Sequence, residues 1–76
     1  MVIESKLAQA ARHVAEGRRI VARQRALVAK QKETGLGTFY SERLLDQFER
    51  TLVIFEDHLR EIQSKEAANL APASAF

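Results

Sequence analysis

A four-three spacing of small and apolar side chains, with two glutamines, runs unbroken through Ile3, Leu7, Ala10, Val14, Gly17, Val21, Gln24, Val28 and Gln31. Because an α-helix turns once every 3.6 residues, positions alternately four and three apart line one side of it, and a repeat sustained over some four heptads is a coiled-coil seam. With Leu7, Val14, Val21 and Val28 as a positions, the b positions are Ala8, Ala15, Ala22 and Ala29. They form a smooth strip that permits close helix approach. Gly17, at d, costs about 1 kcal/mol of helix stability relative to alanine, and its simplest use is at a close helix crossing.

The repeat stops at Thr34-Gly35-Leu36-Gly37-Thr38. Gly35 suits the left-handed residue that ends a helix, Leu36 suits the hydrophobic return of a Schellman stop, and Thr38 suits the N-cap of a second helix with Glu42 in its first turn. Lys30 and Lys32 lie where the dipole of the first helix favours cations. Beyond the break the spacing resumes through Leu45, Phe48, Leu52, Phe55, Leu59 and Ile62, broadened by Leu44, Val53 and Ile54. The expectation is helix 1 over about residues 2–34, a turn at 35–38, helix 2 over about 39–68, and a flexible tail at 69–76 in which Leu70 and Phe76 are candidate anchors. A connection this short sets the helices side by side and antiparallel. The fold class is all-α, a coiled-coil-like two-helix hairpin whose core draws on Leu7, Val14, Val21, Val28, Leu45, Phe48, Leu52, Phe55, Leu59 and Ile62.

Charge sharpens the pairing. The net charge of +2 splits into +5 over residues 2–34 and −3 over residues 39–66. In an antiparallel pair e faces e, which sets Lys32 against Glu42, Arg25 against Glu49 and Arg18 against Glu56. All three are opposite in sign, and a parallel or shifted pairing does not give this ordered set. On the other flank the g positions Lys6, His13, Ile20 and Leu27 meet a side carrying Leu44, Thr51 and His58, largely apolar where a solvated hairpin would be charged. With 76 residues and no cysteine, neither disulfides nor thiolate zinc sites can complete so small a core. Self-association can. Ile20, Leu27, Leu44 and Ile54 are therefore the expected dimer interface, and the expected assembly is a homodimeric four-helix bundle.

Chemistry is sparse. His13 and His58 are the only histidines, and Glu16 and Glu61 follow each by three residues, but the Glu-x-x-His order of di-iron bundles is absent. They are the sole metal candidates, and no metal or cofactor is expected. No nucleophile and base share a supporting spacing, and Gly35-Leu36-Gly37 lacks the strand and lysine of a phosphate loop. An enzyme is not expected. Arg12, Arg19, Arg23 and Lys30 form a basic ridge at the outer f and c positions of helix 1, the residues by which the alternative function, nucleic-acid binding, would act. Glu16 interrupts that ridge, and no aromatics are interleaved with it. The longest apolar run in the helical region is Leu52-Val53-Ile54-Phe55, so no membrane partner is expected and the cytoplasm is the expected compartment.

The segments from His13 to Val21 (HVAEGRRIV) and Leu44 to Leu52 (LLDQFERTL), with Phe55-Glu56-Asp57-His58-Leu59, resemble small uncharacterised helical-hairpin proteins of rhizobia and related alphaproteobacteria over roughly residues 8–62. The resemblance implies a bacterial cytosolic protein and carries no catalytic residues. Taken together, the expected function is a small interaction or regulatory module, acting through self-association and contacts with a protein partner still to be identified.

Overall fold

The computed structural model describes residues 3–70, which form two antiparallel helices, α1 (Lys6–Glu33) and α2 (Phe39–Leu70), with no strand among them. The turn between them is built by hydrogen bonds that local sequence dictates. Thr34 caps α1, and Gly35 takes φ 76°, a left-handed conformation that lacks steric penalty only for glycine. The Leu36 N–H then donates to the Gln31 carbonyl at 2.9 Å and the Gly35 N–H to that of Lys32 at 3.3 Å, the paired bonds of a Schellman motif. Thr38 opens α2, its carbonyl accepting from the Glu42 N–H at 2.8 Å.

The helix ends depart from the heptad reading. α1 begins at Lys6 rather than near residue 2, because the Ser5 hydroxyl accepts from the Ala8 N–H at 3.0 Å and so supplies a cap. Ile3, though in phase with the seam, is 88% exposed and has no apolar cover to draw it into the helix. At the other end α2 continues to Leu70, two residues into the stretch expected to be tail, while residues 71–76, with Pro72 and Phe76, lie outside the described residues.

Packing between the helices is unequal. The α1 seam is buried through Ala10, Val14, Gly17, Val21, Gln24 and Val28. Of the expected core residues on α2, all six from Leu45 to Ile62 are only half-buried, as is Leu7. The reason is size: short side chains on α1 are covered completely by long ones on α2, whose outer edges then project past the contact. Gly17 lies at a close helix approach, since a Cβ there would lie 3.1 Å from Leu52 Cδ1 and 3.5 Å from Phe55 Cδ2. Gln24, the one polar group among the buried residues, is satisfied by donating from Nε2 to the Ser41 carbonyl at 3.0 Å, which ties the middle of α1 to the first turn of α2.

The e-side ion pairs set register and direction. Arg18 meets Glu56 at 3.2 Å, Arg25 meets Glu49 at 3.2 Å, and Lys32 meets Glu42 at 3.1 Å. Each heptad step forward on α1 is answered by one backward on α2, as an antiparallel hairpin requires. These pairs are exposed and each contributes only a few tenths of a kcal/mol, so they choose among arrangements more than they stabilise one.

Gly17→Ala gains about 1 kcal/mol of helix propensity against a leucine methyl that can swing outward, so its melting temperature, read by circular dichroism at fixed concentration, should rise; Gly17→Leu should lower stability by about 1–3 kcal/mol through overpacking. Arg25→Glu and Glu49→Arg should each cost about 0.5 kcal/mol in chemical denaturation, with the double swap recovering the loss; simple additivity would show that the pair contributes no orientation energy.

Candidate interaction face

The flank opposite the ion pairs has no such polar cover. Ile20 and Leu27 on α1 and Leu44 and Ile54 on α2 are 40%, 44%, 40% and 65% exposed. Ile20, Leu27 and Leu44 occupy g positions just outside the seam and Ile54 a c position farther round the same side, where a hairpin of two helices has no third element to cover them. Beside Ile20 and Leu27 runs a groove of about 420 Å³, lined by these two with Arg23, Gln24 and Phe48. A second groove, of about 380 Å³, continues to the turn past Leu27, Gln31 and Leu36. On Gln31, a glutamine in the α1 seam, the Oε1 is buried without a hydrogen-bond partner.

Toward the open end the same flank changes character. The groove there is lined by Lys6, His58, Ile62, Lys65 and Glu66, and Lys65 is held by Glu61 at 3.1 Å. His13 turns inward, its ring centroid 5.4 Å from that of Phe55, and is half-buried, whereas His58 is exposed. Among the described residues no group of three or more His, Asp or Glu side chains converges as a metal site would require, so the two histidines lack the further ligands that would hold an ion.

The basic ridge is shorter than its sequence suggests. Arg12 is engaged by Glu4 in a bidentate contact, Nε to Oε2 at 3.1 Å and Nη2 to Oε1 at 3.0 Å, and by Glu16 at 3.3 Å. The guanidinium holds the Glu4 carboxyl below the usual carboxylate range, and hydrogen bonding to Glu4 and then Glu16 raises the guanidinium's own affinity for its proton. Arg19, Arg23 and Lys30 have no carboxylate within ion-pair distance among the described residues. Arg19 and Arg23 bracket Ile20 along the edge of the apolar groove.

Sequence reasoning missed the tip. Leu36, Phe39 and Tyr40 are 62%, 63% and 84% exposed, with the Phe39 and Tyr40 rings edge to face at 5.4 Å and the Arg43 guanidinium 5.6 Å from the Phe39 centroid. The signal was present: carrying the second heptad register back one heptad from Leu45 places Phe39 at b and Tyr40 at c, away from the seam. Among the described residues no helix is long and apolar enough to cross a membrane. Compared with protein-family models, curated proteins and solved structures, the chain matches none.

Proposed function

We propose that the protein is a non-enzymatic interaction module of the cytoplasm, and that a second copy covers the Ile20, Leu27, Leu44 and Ile54 face to make a four-helix bundle. The observation that carries this reading is how much surface the hairpin leaves uncovered. It is a single layer, 15 Å in its thinnest dimension, and among the described residues no large side chain is fully buried. Stable domains bury the apolar face of one layer against a second. The chain's accessible surface is 6343 Å², against about 4,700 Å² for a compact monomer of 8.6 kDa. Ile20, Leu27, Leu44 and Ile54 lie in that uncovered surface. The assembled module then acts through contacts with other proteins.

Sedimentation equilibrium at micromolar concentration should give a dimer mass, and a well-folded monomer would overturn the reading. Ile20→Glu combined with Leu27→Glu should yield monomers of reduced helicity, since two carboxylates would then face the apolar partner surface. Unchanged mass would mean that another face is used.

One observation favours a second reading, in which the free cations bind nucleic acid. Arg19, Arg23 and Lys30 stand unneutralised on the outer side of α1, and three cations on one helix face suit a phosphate backbone. Labelled DNA or RNA should then be retained at about 100 mM salt and released steeply as salt rises. Absence of binding at low salt removes this alternative.

A further inference from the structure

We infer that the second copy docks in parallel, turn beside turn, about a two-fold axis that runs along the hairpin. This rests on the self-association proposed above and adds its geometry. The flank to be covered is graded from one end to the other, and the ion pairs supply the ruler. Leu27 and Leu44 both lie between the Lys32–Glu42 and Arg25–Glu49 pairs, and Ile20, Thr51 and Ile54 lie between Arg25–Glu49 and Arg18–Glu56. Beyond Arg18–Glu56, toward the open end, come His13 and His58 and then Lys6 and Lys65, of which Lys6, His58 and Lys65 line one groove. At the g positions the turn half is thus aliphatic apart from Thr51, with Arg23 and Lys30 lining its grooves only from the outer c positions, while the g positions of the open half carry imidazoles and ammonium groups, with Glu66 beside them.

Two symmetric arrangements keep neighbouring helices antiparallel, and this gradient separates them. In a head-to-tail dimer with full overlap, Leu27 and Leu44 of each copy face the level of Lys6 and Lys65 of the other, so four leucines and four lysines are mismatched at once. Burying the Lys6 ammonium against leucine removes its hydration without supplying a partner, and the Glu61-paired Lys65 loses hydration there as well. In the parallel dimer Leu27 lies across from Leu44 of the other copy and Ile20 across from its Thr51. The groove lined by Ile20, Gln24, Leu27 and Phe48 then has apolar side chains opposite it. The lysines come together only at the open end, where water screens them, Glu61 already neutralises Lys65, and the helices can part without uncovering the aliphatic half. A further consequence is that both turns sit side by side, so Leu36, Phe39 and Tyr40 of the two copies form one composite apolar tip.

The chain contains no cysteine, so a single introduced thiol can carry a spin label without background. Gly37→Cys is suited to this, because a Cβ there meets nothing within 4 Å and its backbone is not left-handed. Double electron–electron resonance on the labelled dimer should give an interspin distance of about 20–30 Å for the parallel arrangement. Head-to-tail docking would separate the labels by more than about 42 Å, the length of α1 at 1.5 Å per residue. Lys6→Cys provides an independent label at the open end, for which a distance longer than at the turn but still below about 42 Å is expected. A long distance at both positions in a sample that sediments as a dimer overturns the parallel geometry and leaves self-association standing. A monomeric sample without dipolar coupling overturns both.

Discussion

Everything in this hairpin depends on small side chains meeting large ones. Ala10, Val14, Gly17, Val21 and Val28 lower one helix surface so that Leu52 and Phe55 on the other can approach its backbone, within 3.1 Å of where a Gly17 Cβ would stand. Close approach maximises dispersion contact along the line where the helices touch, but a line is all that two helices share. The small partners vanish beneath the large ones, and the large ones stay half open. A chain of this shape has a seam and no interior, which is why its remaining apolar surface is concentrated on a flank.

The two flanks solve different problems. On the e side, long cations on α1 reach carboxylates on α2, and their order along the helices is compatible with only one direction and register. Exposed pairs of this kind add little stability, so their value lies in excluding the alternatives. On the g side, Ile20, Leu27 and Leu44 remain partly wet, with charge confined to the groove's outer edge at Arg19, Arg23 and Lys30. The division is thus one of discrimination on one side and uncovered apolar surface on the other.

Local chemistry also redistributes the charges that are left. Arg12 is drawn back along α1 by Glu4 and Glu16, so the segment before the cap is tied to the second turn and one cation leaves the outer ridge. Arg43 lies over Phe39 at the tip. Among the described residues, the cations left without an ion pair on the ridge of α1, Arg19, Arg23 and Lys30, sit beside the aliphatic groove rather than as a separate basic surface, so any polyanion would compete for space with whatever covers Ile20 and Leu27.

Periodicity, turn chemistry and charge order are properties of neighbours in the chain or of one helix face, and these were legible in the sequence: the two helices, the Schellman stop at Gly35, and the pairing of Arg18, Arg25 and Lys32 with Glu56, Glu49 and Glu42. Burial is a property of what stands across from a residue, and only the tertiary structure decided it. Ile3 keeps the heptad phase yet lies outside α1, because the Ser5 cap ends the helix and nothing covers the isoleucine. Gln24 occupies a core position because the Ser41 carbonyl is within reach, and His13 turns to Phe55 rather than to a shared site with His58. The α2 leucines and phenylalanines, which read as core from their spacing, are half open because the residues opposite them are too short to enclose them.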